Sequence, residues 1–159
     1  MNNKSAISIF LVDDDPFCLE LYREVLGNLG YINVTTFDKS ADCLHELTRQ
    51  PEVIFLDYQM DNLNGIDILK KIKRFNPNII VLFISGQDAI QVAVNSLKYG
   101  AFDYIVKKDF TEDKIKVAME KVELLREMLN RKKGGFLKRA MAAIGVLSGF
   151  FFFQKMFAK

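Results

Sequence analysis

The chain lacks the equipment of several protein classes. It has two cysteines, Cys18 and Cys43, in 159 residues, which excludes a disulfide scaffold. Its single histidine, His45, leaves no Cys/His cluster with zinc-site spacing. Neither GxxxxGK[ST] nor GxGxxG occurs, so nucleotide binding has no motif behind it. The first residues, Met1-Asn2-Asn3-Lys4-Ser5, lack the long apolar core of a secretory signal. There is no internal repeat and no low-complexity linker. A strong net charge is missing too: the formal value is +2, which on its face sets aside a strongly basic nucleic-acid binder.

Half of the residues are apolar and 26% are charged, the profile of one ordinary globular domain rather than a disordered chain. The modest net charge is a cancellation. Residues 1–125 carry 14 basic and 19 acidic side chains, a net of −5, whereas residues 126–159 carry 8 basic side chains and one acid, Glu127, a net of +7. The composition shifts at the same place, around Gly134-Gly135. The expected organisation is a domain over 1–130, a basic glycine linker over 131–135 and an apolar, basic-flanked helical tail over 136–159.

Apolar strand-like runs alternate with helical patterns along the first 130 residues. Strands are expected at 6–12, 32–37, 53–56, 79–84 and 102–106. Helices are expected at 16–29, from a cap at Asp38 through Leu47, at 66–75, at 89–99 and at 111–130. Pro16 suits a first helical turn, Gly30 and Gly100 suit helix ends, and Thr111 suits an N-cap. In the first helix Phe17, Leu21, Val25 and Leu29 recur every four residues as the candidate buried stripe; Cys18, near the face of Leu21 and Tyr22, reads as a small buried residue. In the third helix Ile66, Leu69, Ile72 and Lys73 share helical spacing. His45 reads as a surface residue. Five near-continuous apolar strands alternating with five helices predict an α/β, doubly wound parallel sheet covered on both faces. In such sheets ligands bind beyond the carboxyl ends of the strands.

Those ends carry Asp13, Asp14 and Asp15 after the first strand, Asp57 after the third, Ser85 after the fourth and Lys107 after the fifth. Each alone has a bland reading: an Asp after a strand is usually a turn former or cap, Ser85-Gly86 is ordinary turn chemistry, and Lys107-Lys108 is a solvated pair. Together they are harder to dismiss. Crowded carboxylates repel and need a cation, and all-oxygen ligands select a hard ion such as Mg²⁺. An ammonium and a hydroxyl suit phosphoryl oxygens. A carboxylate can be the nucleophile that forms an aspartyl phosphate. The set predicts a phosphoryl-transfer site with Asp57 as acceptor.

The stretches Leu11-Val12-Asp13-Asp14-Asp15-Pro16, Phe55-Leu56-Asp57-Tyr58-Gln59-Met60 followed by Gly65, Ile84-Ser85-Gly86 and Tyr104-Ile105-Val106-Lys107 resemble the receiver domain of bacterial two-component response regulators, over residues 5 to 125. The resemblance implies a flavodoxin-like fold with a five-stranded sheet in the order 2-1-3-4-5 and five helices; the helical tail read from the residues after 135 would add a further C-terminal helix. It implies that Asp13 and Asp14 hold Mg²⁺ together with Asp57 and the backbone carbonyl of Gln59. Asp57 would be the phosphoacceptor, Lys107 the phosphate-binding lysine, Ser85 the switch hydroxyl and Tyr104 the switch aromatic. It further implies a histidine kinase or histidine phosphotransfer protein as donor, and no enzymatic activity beyond the domain's own phosphorylation and dephosphorylation. Two departures from the family pattern stand out. Asp61 and Lys108 occupy positions where prolines are common. A cis bond without proline is costly, about 2.5–4 kcal/mol, so a trans Lys107–Lys108 bond is expected.

The tail is too short for a helix-turn-helix domain, so signalling is expected through protein contact. Its apolar stretch over 140–153 has 14 residues and as a helix would reach roughly 21 Å, short of a hydrocarbon core of about 30 Å. Three readings are open for 136–159: a peripheral membrane anchor with basic residues at the headgroups, a helix docking on a partner or on a second copy to give a homodimer, with Gly145 and Gly149 allowing close approach, or a helix folding back on its own domain. Binding of nucleic acid through the basic segment would not be sequence-specific. The absent signal predicts a cytoplasmic protein, peripheral at the inner membrane face under the first reading. A structural adaptor acting through the tail, with little dependence on phosphorylation, is the alternative function.

Overall fold

A computed structural model describes residues 4–60, 63–86 and 90–129. The expected linker and tail, together with Asp61, lie outside the described residues. The chain divides into two compact units, Met1–Met119 and Glu120–Lys159; the described part of the second, 120–129, is helical.

In the first unit five strands, β1 (Ile9–Val12), β2 (Val34–Phe37), β3 (Val53–Asp57), β4 (Ile80–Ser85) and β5 (Asp103–Val106), form one parallel sheet in the order β2-β1-β3-β4-β5. This is the doubly wound, flavodoxin-like order. β1, β3 and β4 are buried along their whole length, whereas the edge strands β2 and β5 are partly exposed. That difference is what the unbroken apolar runs of the central strands require, since both of their faces are covered. Between them run α1 (Pro16–Asn28), α2 (Ser40–His45), α3 (Gly65–Phe75) and α4 (Ile90–Lys98), and a fifth helix, α5, covers 112–129.

Strand alternation divides the core. Phe10, Val12, Ile54, Leu56, Val81 and Phe83 join Cys43 of α2 and Ile66, Leu69 and Ile72 of α3 in one buried cluster. Facing the other way, the Phe55 ring meets Phe110 edge-on at 6.0 Å, and Phe110 in turn lies 4.0 Å from the ring of Tyr22 on α1.

The expected caps and stripes hold in part. Asp15 caps α1 through Phe17 N–H at 2.9 Å, Asn64 caps α3, and the Thr111 hydroxyl accepts from Lys114 N–H at 3.5 Å. Gly30 and Gly100 sit at φ of 91° and 98°, the left-handed turn that ends a helix and that glycine adopts without strain. Asp38, by contrast, is exposed, and Lys39 occupies the N-cap of α2 without a side-chain bond. β1 and β2 start later than expected, because Lys4–Ala6 forms a 3₁₀ turn and Ile32 is exposed. Lys73 is not part of the α3 core stripe; its ammonium reaches back to the Ile79 carbonyl at 2.6 Å, and burial lowers its pKa.

The stripe of α1 is the clearest correction. Leu19, Tyr22 and Leu26 are buried, while Phe17 is 76% and Leu21 38% exposed. Both sets satisfy helical spacing. The Asp15 cap and Pro16 fix where the helix starts, and the sheet beneath it selects the 19/22/26 face.

One close contact sets the loop after β3. A Cβ on Gly65 would stand 2.9 Å from the Tyr58 carbonyl oxygen and from Phe83 Cε1. Gly65→Ala is therefore expected to destabilise the protein by about 1–3 kcal/mol in urea unfolding, although alanine is the better helix former by about 1 kcal/mol. An unchanged midpoint would show that the loop yields freely.

Candidate functional site

Parallel register aligns the strand ends. Val12 pairs with Leu56, Asp57 with Ile84 and Ser85 with Val106. Asp13, Asp57, Ser85 and Lys107 thus reach the same edge of the sheet, the carboxyl end where the sequence places its chemistry.

Asp13 is fully buried and Asp57 nearly so, at 0% and 2% exposure, whereas Asp14 is exposed. One carboxylate oxygen from each of the three lies within 4.8 Å of the others. The Lys107 ammonium stands between the two buried acids, 2.8 Å from Asp13 Oδ2 and 3.1 Å from Asp57 Oδ2. Burial works against its charge, but the hydrogen bond to Asp13 and the negative field of Asp57 outweigh that and raise its pKa. Asp13 Oδ1 accepts from Asp15 N–H at 2.9 Å. Asp57 Oδ1 is buried and has no hydrogen-bond partner. Burial first, then the Asp13 charge, push the Asp57 pKa up to about 6, against the pull of Lys107.

The remaining predicted residues fall as follows. Ser85 is fully buried at the end of β4. Tyr104 is half-buried and packs on the core cluster. Gln59 is exposed and pairs with Asn64 in a short antiparallel ladder (Gln59–Met60 with Leu63–Asn64) directly after Asp57. Lys107 opens a 3₁₀ turn, Lys107–Asp109, and no cis peptide bond occurs among the described residues. Asp15 turns away from the acid cluster to cap α1, which lowers its pKa through the Phe17 N–H and then Cys18. Cys18 is half-exposed rather than buried, its Sγ 3.5 Å from Asp15 Oδ2. His45 is exposed, as expected.

A residue that periodicity missed also reaches the site. The Tyr22 hydroxyl donates to Asp13 Oδ2 across 3.4 Å. Burial, then the Cys18 hydrogen bond, push its ionisation far up, so it remains a donor. The available signal was a tyrosine on an apolar helical stripe, since a buried phenol needs a polar partner.

A crowd of carboxylates with one orphaned, buried oxygen fits a hard divalent cation: the ligands are all oxygen, the local charge is negative, and an unmet lone pair in a dry site is costly. Residues 9–120 match the response regulator receiver domain. The chain belongs to that family. The receiver is 36% identical to the nitrogen assimilation regulatory protein NtrX of Azorhizobium caulinodans over 134 residues, covering 80% of this chain and 29% of the relative. It is 35% identical to the transcriptional regulatory protein CssR of Bacillus subtilis over 102 residues, covering 64% of this chain and 45% of that protein. The chain therefore spans less than half the length of these relatives. Among solved structures it resembles the receiver domain of NtrX from Brucella abortus (TM-score 0.67, 30% identity, 72% of this chain and 97% of that one). A receiver domain protein from Clostridium thermocellum is also similar (TM-score 0.71, 27% identity, 77% of this chain and 98% of that one). Among the described residues no helix is long and apolar enough to cross a membrane.

Proposed function

We propose that this receiver is a phosphorylation-dependent response regulator of a two-component phosphorelay that accepts a phosphoryl group on Asp57 and signals by protein contact. The observation that carries the reading is the pair of unlike oxygens on Asp57: Oδ2 is held by Lys107 at 3.1 Å, and Oδ1 is buried without a partner. The Lys107 bond fixes the carboxylate, and the unpartnered oxygen leaves lone pairs for both the metal and the attack on phosphorus. An Asp57 oxygen forms the new P–O bond while the P–N bond of a phosphohistidine donor breaks, and the departing imidazole keeps the electron pair. The donor is a histidine kinase or histidine phosphotransfer protein.

Asp13, Asp14, Asp57 and the Gln59 carbonyl would hold Mg²⁺, which when bound offsets the charge that builds on the transferring group. Lys107 supplies a second positive charge at the phosphoryl oxygens. Ser85 is the hydroxyl that closes on the phosphoryl group, and Tyr104 is the aromatic that follows it inward. Catalysis is confined to the protein's own phosphorylation and dephosphorylation, in the cytoplasm. The receiver occupies 1–130, with the linker at 131–135 and the tail at 136–159.

The test is incubation of the full chain with Mg²⁺ and a small phosphodonor such as acetyl phosphate. The wild type is expected to gain one hydroxylamine-sensitive acyl phosphate and Asp57→Asn none. No adduct on the wild type, or an adduct that survives in Asp57→Asn, would sink the proposal.

A further inference from the structure

Asp13 is the most deeply placed of the three acids, and its Oδ2 receives two donors: the Lys107 ammonium at 2.8 Å and the Tyr22 hydroxyl at 3.4 Å. The two differ in their freedom. Lys107 begins a 3₁₀ turn, and its side chain is 26% exposed. Its ammonium is shared between two carboxylates. Tyr22 is 1% exposed and its ring packs against Phe110, centroids 4.0 Å apart and planes tilted by 35°; Phe110 is itself edge-on to Phe55. A buried ring packed in this way cannot swing its hydroxyl away without opening the core.

Under the function proposed above, on which this inference rests, Lys107 turns to the phosphoryl oxygens. Asp13 Oδ2 then loses its stronger donor, and a buried carboxylate oxygen left without one is costly. We propose that Tyr22 is a positioning residue for this receiver: its hydroxyl orients the Asp13 carboxylate for the metal and goes on holding it when Lys107 is drawn to the phosphoryl group. The 3.4 Å separation is long for an O–H···O bond, as expected while the ammonium holds the same oxygen and Cys18 also bonds the hydroxyl, and a small carboxylate shift closes it once Lys107 leaves.

The experiment is calorimetric titration of Mg²⁺ into the full chain, comparing wild type, Tyr22→Phe and, as a packing control on the same helix, Leu26→Val. Tyr22→Phe keeps the ring and removes the hydroxyl, and with it the bonds to Asp13 and to Cys18; Cys18→Ala, which removes only the second bond, should keep the wild-type affinity. It is expected to bind Mg²⁺ about tenfold more weakly, the loss typical of removing a group that orients a metal ligand. Its melting temperature in EDTA should stay near wild type, and Leu26→Val should lose stability but keep the affinity. Wild-type affinity in Tyr22→Phe overturns the inference, as does an equal loss in Leu26→Val, which would trace the effect to packing. A wild type that binds Mg²⁺ but takes no phosphoryl group defeats the proposed function while the affinity comparison still judges Tyr22. A wild type that binds no Mg²⁺ defeats both.

Discussion

Lys107→Met lowers the stability of the Mg²⁺-free protein at pH 7.5 by about 3 kcal/mol, the scale for removing one partner from a buried ion pair. The lysine is the cation that the structure places between Asp13 and Asp57, at 2.8 and 3.1 Å. Without it two carboxylates at 0% and 2% exposure face each other in a site that water hardly reaches. The like charges cannot both persist there, and Asp57, already titrating at about 6 with the lysine present, takes up a proton at higher pH still. That uptake caps the loss and gives it a pH signature. The deficit is largest above pH 6 and shrinks as the pH falls and Asp57 is neutralised. Millimolar Mg²⁺ restores part of it by replacing the missing charge and by binding only the folded state. Urea unfolding at pH 5 and 7.5, with and without Mg²⁺, reads all of this; a pH-independent loss would mean that only the packing of the lysine stem mattered.

Asp57→Asn moves stability the other way. The folded-state pKa of about 6 lies above the ordinary aspartate value of 3.8, so the folded chain binds this proton more tightly than the unfolded one. The stability that proton brings is fully present below pH 3.8 and is lost as the pH rises to about 6, leaving a cost near 2–3 kcal/mol at neutral pH. Asparagine keeps the shape, removes the repulsion with Asp13 and still offers an oxygen to Lys107. The variant is therefore expected to melt higher than wild type at pH 7 in EDTA, with the gain fading between pH 6 and 4. Equal melting curves across that range would show that Lys107 fully neutralises the ionised Asp57. The two variants together show a site built for its ligand at the expense of its own stability, as expected where charge is concentrated for chemistry.

Much of this was legible along the chain. Ile54, Phe55 and Leu56 before Asp57, and Leu82, Phe83 and Ile84 before Ser85, could be recognised because a strand covered on both faces has no polar position until it leaves the sheet. On α3 helical spacing found Ile66, Leu69 and Ile72 but placed Lys73 with them and passed over Ile68, which is buried. α1 offers two stripes, Phe17/Leu21/Val25/Leu29 and Leu19/Tyr22/Leu26, and periodicity cannot choose between them. The choice was made by the cap at Asp15 and by the sheet under the helix. Asp15 shows the same limit at the site: three consecutive aspartates look alike in a row, but one is buried on the cluster, one is exposed beside it, and the third bonds Phe17 N–H at 2.9 Å.

Residue order thus carried the strand–helix alternation, the apolar centre of the sheet and the types of group at the strand ends, because these depend on local pattern and on which side chains tolerate burial. Folding in three dimensions settled which face of α1 is inside, which Asp57 oxygen has no partner, and that Tyr22 and Lys107 share one oxygen of Asp13. Lys107 meets Asp57 across 50 positions of chain and Tyr22 meets Asp13 across nine. Contacts at such separations follow from strand register and helix rotation, which no short stretch of residues contains.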